Sequence, residues 1–439
     1  MEFTDRNEEL AELKSILAQS KSHACFTVVT GRRRIGKTAL LLHAYNAERV
    51  LYFFVARKAE RELCEDFVDE IRAKLGEQTL GKPERFAEIF SYLMQYAKKE
   101  PLILVIDEFQ EFSRVNKGIF SEIQRIWDLN KGESKINLLV CGSVHSLMSR
   151  IFVDRKEPLY ARQTRTLRIH PFAPSVLKGI MQEYAPASTR DDLLALYLFT
   201  GGVPKYVEMF VDGDALTRQK MLNRIVSRDS FFLEEGKNML IEEFGKDYGT
   251  YFSILSLIAR GHNTRGDIEG ILKLEIGGYL SRLLDEYGIL GKRQPLFERS
   301  ANKRVRYAIR DCFLRFWFRF MFKYNYMLEI AAYEKLQQII RRDYETYSGT
   351  VLEDYFRLKL VESGRYTRLG YWHDRKGENE IDIIAADELG KTVDFFEVKR
   401  QASDVDLNLL QRKAEVFLAT TKQYSDFRVS CRGLSLEDM

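Results

Sequence analysis

The residues able to do chemistry in this sequence fall into three groups, and all three suit work on phosphates. The first is Gly31-Arg32-Arg33-Arg34-Ile35-Gly36-Lys37-Thr38, two glycines separated by four residues and followed by lysine and threonine. Gly31 and Gly36 let the chain bend so that successive backbone N–H groups face phosphate oxygens. Lys37 has the reach for the β- and γ-phosphates of ATP, and the Thr38 hydroxyl is a ligand for Mg²⁺. The helix expected over 39–45 adds its N-terminal dipole. The bland alternative is a glycine turn with a solvated basic cluster, and the second group argues against it. Residues 102–106 are an apolar run that ends in Asp107-Glu108. Beside a phosphate loop, Asp107 would hold Mg²⁺ through water and Glu108 would polarise an attacking water. Ser143 follows another apolar run, 136–141, and either senses the γ-phosphate or caps a turn.

The third group lies near the C-terminus. Glu380-Ile381-Asp382 and Glu397-Val398-Lys399 sit on two strand-like segments flanking Glu388-Leu389-Gly390-Lys391. Paired as a hairpin, Asp387 faces Thr392, Asp382 faces Glu397, and Glu380 faces Lys399. Side chains alternate along a strand, so these acids and the lysine share one face. Facing Cβ atoms stand about 5 Å apart, where two carboxylates repel unless they share a proton or a cation. Such a cluster suits Mg²⁺-dependent phosphodiester hydrolysis, with Asp382 and Glu397 on the metal and Lys399 steadying developing charge. A plain cross-strand ion pair is the rival reading for Glu380 and Lys399. Gln411 and Lys413, on the helix that follows, either touch backbone phosphates or form its solvated face.

These groups need elements to position them. The runs at 26–30, 51–55, 102–106 and 136–141 are continuous and rich in β-branched residues, as strands of a parallel sheet covered on both faces are. Residues 190–310 read mostly helical. Helical patterns at 251–259, 267–272 and 279–287, then a hairpin formed by 289–292 and 304–309, predict a winged helix-turn-helix. Arg299, Lys303, Arg304 and Arg306 make its wing basic, for duplex DNA phosphates or merely as the solvated side of a packing module. After about residue 365 strands alternate and a helix closes the chain. The expected fold class is α/β throughout: a P-loop ATPase core (1–185), a helical lid (186–248), a winged helix (249–312), a helical connector (313–345) and a small α/β tail (346–439).

Composition narrows the classes further. A chain of 439 residues exceeds what one hydrophobic core usually supports. Its 68 Lys+Arg against 64 Asp+Glu exclude a polycation but leave room for local patches. The five cysteines have no CxxC spacing, which argues against zinc or a disulfide scaffold and fits a reducing cytoplasm. No secretory leader is visible. The most apolar stretch, 313–326, carries Arg315, Arg319 and Lys323 and falls short of the ~20 residues of a membrane span. It is expected to be a buried helix with a wet edge, in a cytoplasmic protein with no membrane partner.

Phe3-Thr4-Asp5-Arg6-Asn7-Glu8-Glu9-Leu10, the glycine loop, Ile106-Asp107-Glu108-Phe109, Cys141-Gly142-Ser143, Pro158-Leu159-Tyr160-Ala161-Arg162 and Gly201-Gly202-Val203-Pro204 together resemble the archaeal-type P-loop ATPases of the AAA+/STAND group. The resemblance implies an N-terminal box near the adenine and an arginine, here Arg162, acting on the γ-phosphate. Ala161 stands where that family usually has glycine. The tail resembles the PD-(D/E)XK nuclease core, with Asp382 as its first acid and Glu397-Val398-Lys399 as its ExK. The proline of that name is absent. Glu353, on a helix expected over 351–361, matches the upstream helical acid and would be a further metal ligand. Thr350 and Glu353 also read as a capping box. Two functions follow as expectations: a Mg-dependent ATPase coupled to a nuclease acting on nucleic acid, DNA above all, or a nucleotide-dependent switch whose winged helix and tail bind DNA or protein without cutting. A homo-oligomer or protein partner is compatible with either.

Overall fold

The computed structural model describes residues 1–76, 81–245, 248–293, 295–297, 305–374, 378–421 and 423–439. The chain forms two compact units, residues 2–170 and residues 171–439, with Met1 belonging to the second.

In the first unit, β1 (Cys25–Thr30), β2 (Val50–Phe54), β3 (Leu102–Asp107), β4 (Ile136–Cys141) and β5 (Arg165–Arg168) form one sheet. Its order is β2-β3-β4-β1-β5, and every neighbouring pair is parallel. The four apolar runs are β1 to β4. Leu102, Leu104 and Ile106 of β3 enter one core, with Phe67 and Phe90. Ile103 and Val105 enter the other, with Leu40 and Leu41. Both faces are therefore covered, which is why the strands are apolar without alternation. The order sets β4 between β1 and β3, so the chain leaves these three strands side by side at their C-terminal ends, where open α/β sheets bind ligands.

The second unit begins with helices Pro174–Tyr184, Arg190–Thr200, Pro204–Asp212, Arg218–Ile225 and Phe231–Phe244. Arg190–Thr200 is buried on every side from Asp192 onward, as an interior helix is. Leu177, Ile180 and Met181 of the preceding helix share its core, so the two units part at 170/171 where the sequence suggested 185/186. Next come helices Tyr248–Ala259, Arg265–Leu272 and Gly277–Ser281, the last extended by a π-helical turn, Arg282–Glu286. An antiparallel hairpin follows, β6 (Leu290–Arg293) with β7 (Arg306–Ile309). Arg306 is exposed on it, while Arg299, Lys303 and Arg304 lie outside the described residues.

Two expectations in this region change. The apolar stretch is helix Cys312–Phe316 followed by a π-helical turn, Trp317–Phe322, and Arg315 is not on a wet edge. Its Nη1 lies 2.7 Å from Asp354, which also receives Arg293 Nη2 at 2.6 Å. The helix expected to begin at Val351 is instead a 30-residue helix, Tyr333–Glu362, that runs across the expected 345/346 boundary. Thr350 and Glu353 are interior to it, and the Thr350 hydroxyl donates to the Tyr347 carbonyl at 2.9 Å, so there is no capping box.

The tail sheet holds β8 (Arg368–His373), β9 (Glu380–Asp387), β10 (Thr392–Val398) and β11 (Arg428–Leu434), in the order β11-β10-β9-β8. β8, β9 and β10 are antiparallel, and β11 joins parallel to β10 after the crossover helix Leu407–Thr421. One face packs Ile383, Ala385 and Phe396 with Leu352 and Tyr355 of the long helix. The other packs Ile384 and Phe395 with Leu410 and Phe417 of the crossover helix. The β9–β10 register is the expected one, from Thr392 opposite Asp387 to Phe396 opposite Ile383. Among the described residues no helix is long and apolar enough to cross a membrane.

Candidate active sites

The loop from β1 into helix Lys37–Ala44 is tight where its glycines stand. A Cβ on Gly31 would come 2.7 Å from the Ile169 carbonyl oxygen, and Gly36 has φ +85°. Both positions exclude an ordinary side chain. Ile35 is buried and anchors the loop, while Arg32, Arg33 and Arg34 are half-buried. Lys37 Nζ donates to the carbonyls of Gly31 (2.9 Å) and Arg32 (3.2 Å), which holds it over the loop. Burial pulls this ammonium below its ordinary pKa, against the neighbouring charges of Glu108 and Asp107.

The end of β3 meets that loop. The Thr38 hydroxyl donates to Asp107 Oδ2 at 2.5 Å, and the Tyr52 hydroxyl donates to the same oxygen at 2.8 Å. Asp107 Oδ1 accepts the Cys141 thiol at 3.0 Å and the Glu108 N–H at 2.8 Å. Burial, then the Asp107 charge, pushes both the Tyr52 hydroxyl and the Cys141 thiol upward, so they stay protonated donors. Glu108 sits at φ +53°, and its Oε2 accepts the Ser143 hydroxyl at 2.8 Å and the Gln110 amide. Lys37, Thr38, Asp107, Glu108 and Ser143 are thus brought together. Sequence reasoning missed Tyr52, Gln110 and the role of Cys141. The signal for Tyr52 was its hydroxyl, alone in an apolar strand.

Arg162 is held elsewhere. Its Nε lies 3.2 Å from Asp128 on helix Ile119–Asn130, and its Nη1 donates to the Tyr160 carbonyl at 2.9 Å. Ala161 before it has φ +54°, a left-handed conformation that explains the usual glycine. In the N-terminal box, the Phe3 ring stacks on His43 with centroids 4.0 Å apart.

In the second unit the tail acids gather at the β9–β10 end. Asp382 Oδ2 accepts the Val398 N–H at 2.8 Å, one residue beyond the last paired position. Glu397 is buried, with Lys399 Nζ at 3.4 Å and Lys413 Nζ at 3.7 Å from its Oε1. Lys399 therefore pairs with Glu397 and not with Glu380, and Lys413 turns inward while Gln411 is exposed. Burial, then the Asp382 charge, pushes the Glu353 carboxyl up to about 7. Burial also raises Asp382, with Val398 and Lys399 opposing and Glu380 and Glu397 adding to the rise. Glu397 Oε2 is buried with no hydrogen-bond partner. Two raised acids and an orphaned carboxylate oxygen suit a cation held by Asp382 and Glu397. Among the described residues, however, no three His, Cys, Asp or Glu side chains stand close enough to form a ready-made ion cage.

Residues 3–210 match the family described as an ATPase domain predominantly from Archaea, and residues 317–413 match archaeal and bacterial proteins of unknown function. An uncharacterized protein of Methanocaldococcus jannaschii is 29% identical over 422 residues, 93% of this chain and 90% of its own. A second uncharacterized protein of that organism is 38% identical over 56 residues, 13% of this chain and 54% of its own. Among solved structures, a Walker-type ATPase of Pyrococcus abyssi is similar in fold, with a TM-score of 0.56 and 20% identity, over 72% of this chain and 96% of that one. The chain is an α/β protein whose N-terminal part carries a P-loop ATPase domain.

Proposed function

We propose that this protein is a Mg-dependent ATPase whose hydrolysis is coupled to a metal-dependent nuclease in its tail, acting on nucleic acid and on DNA above all. The observation that carries the nuclease half is the set of acids at the end of the tail sheet. Glu353 and Asp382 are raised by burial and by neighbouring negative charge, and Glu397 has a buried oxygen without a partner. Buried groups with perturbed pKa values beside specific charges are what functional sites carry. The order of helix, three antiparallel strands, crossover helix and parallel strand supports a PD-(D/E)XK reading of the same residues.

In the first unit, the loop N–H groups and Lys37 would hold the phosphates of ATP, and the Thr38 hydroxyl with Asp107 would hold the ion. Glu108 would accept a proton from the attacking water once Ser143 and Gln110 release its carboxylate. Arg162 would need to leave Asp128 to reach a γ-phosphate. In the tail, Asp382 and Glu397 would hold the ion, and Lys399 and Lys413 would neutralise charge on the phosphodiester. Mg²⁺ at either place supplies the charge that polarises a phosphate and acidifies water. The three helices and hairpin of 248–309 support a winged helix that presents duplex DNA, with Arg306 exposed on it.

The test is Mg²⁺- or Mn²⁺-dependent cleavage of DNA and RNA by the full-length protein, compared with Lys399→Ala and Glu397→Ala. Cleavage by wild type that both variants lose supports the reading. Wild type and variants equally inert while ATP hydrolysis persists would end the nuclease half. A second reading, a nucleotide-dependent switch that binds without cutting, is favoured by the lack of a ready-made ion cage among the described residues.

A further inference from the structure

A cavity of about 440 Å³ lies in the second unit, between the end of helix Tyr248–Ala259, strand β7, the π-helical turn and the long helix. Arg260, Arg293, Arg315, Arg319 and Arg342 all line it. Two carboxylates are bonded to these arginines. Asp343 lies 2.7 Å from Arg342, and Asp354 is shared by Arg293 and Arg315. Five guanidiniums against two carboxylates leave three positive charges in excess around one half-open space, with Arg293, Arg315 and Arg342 already bonded to the carboxylates. Among the described residues the guanidiniums of Arg260 and Arg319 are in no ion pair, although, after Arg342, the Arg319 charge helps hold the Asp343 carboxyl below its usual range.

Of the lining arginines, Arg260 and Arg342 are exposed and Arg319 is half-buried, so these three are the ones a ligand in the cavity can reach. Guanidinium forks match phosphate oxygens in pairs, and several converging forks select a multiply charged group over a single carboxylate. The apolar residues Ile258, Ala259 and Ile309 also line the cavity, giving room for an uncharged part. Its volume falls in the range of small-ligand pockets, about 300–1,000 Å³.

We infer that this cavity binds a small ligand carrying two or more phosphates, of about the size of a nucleoside diphosphate. The site belongs to the second unit and is not the Gly31–Thr38 loop. It stands whether or not the tail cuts nucleic acid.

The experiment is a calorimetric titration of sodium tripolyphosphate, without divalent metal, into full-length Lys37→Ala protein, whose Gly31–Thr38 loop has lost its phosphate-binding lysine, alone and with Arg319→Ala or Arg342→Ala added. Arg342 is an exposed rim residue and Arg319 is in no ion pair, so neither change opens a core ion pair. The Lys37→Ala protein should bind one equivalent, and each added arginine variant should bind it about tenfold or more weakly. Should an alanine variant not fold, Arg319→Lys keeps the charge and stem but not the fork, and an intermediate loss is expected. No tripolyphosphate binding by the Lys37→Ala protein, or equal affinity in all folded variants, overturns the inference. It is equally overturned if the variants lose affinity for a single-stranded oligonucleotide and none for tripolyphosphate, because the arginines then serve nucleic acid.

Discussion

Replacing Glu353 with glutamine should make the metal-free protein more stable at alkaline pH, which is unusual for a change at a buried charged residue. Burial and the charge of Asp382 push the Glu353 carboxyl from an ordinary value of 4.5 up to about 7, against the weaker pull of Arg357 and Arg293. The sign follows from proton uptake. Between those two values the folded chain binds a proton that the unfolded chain has released, so stability falls as pH rises through the window and levels off above about 7. A shift of that size corresponds to an upper limit of about 3 kcal/mol, and partial solvent access reduces it to about 1–3. Glutamine has the shape of the protonated acid and cannot ionise. Glu353→Gln should therefore match wild type at about pH 5 and exceed it at about pH 8.

Urea or thermal unfolding in a chelator, read as the difference between variant and wild type at each pH, isolates this one group from the other titrations. For a unit of this size the alkaline gap should be a few degrees in Tm. Adding Mg²⁺ or Mn²⁺ should then narrow the gap by stabilising wild type alone. A variant no more stable than wild type at alkaline pH would refute the reasoning, because Glu353 would then be ionised and satisfied by Arg357. A gap that ignores divalent metal would remove Glu353 from the ligands while leaving the burial argument intact.

Asp354→Ala should cost about 3–5 kcal/mol in thermal unfolding, because it strands Arg293 and Arg315 without their shared partner, and a loss below about 1 would show the pair to be solvated. Burial opposes the Asp354 charge, but Arg315 and Arg293 hold its carboxyl below the usual range, so that contribution is present at neutral pH and fades as acid carries the pH down through the folded value. Glu108→Gln should keep Mg-ATP binding and lower single-turnover hydrolysis about 10²-fold or more, and unchanged turnover would take the base role from Glu108. Ala161→Gly should relieve about 1 kcal/mol of left-handed strain, offset in part by the freedom glycine gains when unfolded. Its Tm should stay level or rise, and a clear fall would show that the methyl group packs.

Four of the five strands of the first unit were legible because the sequence marks them twice, by continuous apolar runs and by a loop whose spacing has few other uses, whereas the polar edge strand β5 carries no such run. The β9–β10 register was legible because a short loop leaves few ways to close the hairpin. The start of the long helix was not. Ser348-Gly349-Thr350 look like a boundary, since glycine inside a helix costs about 1 kcal/mol and a threonine there reads as a cap. Leu336, Ile340, Tyr344, Val351, Leu352 and Tyr355 are all buried along it, and that packing outweighs the local preference. Tyr52, Gln110 and the role of Cys141 were hidden for a different reason. Each acts through a contact with a residue from another part of the fold or from a strained turn, and spacing along the chain does not report such contacts.

Glu353 and Asp354 show what that hidden layer contributes. They are consecutive acids on one helix, and no rule of composition or periodicity separates them. The structure gives Asp354 two arginines and lowers its pKa, while Glu353 is left beside Asp382 and is raised to about 7. Stability alone would favour a neutral side chain at position 353, and a glutamine there would fill the same space. Under the proposed function a cation bound beside Glu353, Asp382 and Glu397 would offset the cost of a carboxylate there, and recovery of alkaline stability with Mg²⁺ or Mn²⁺ is the outcome that would support it.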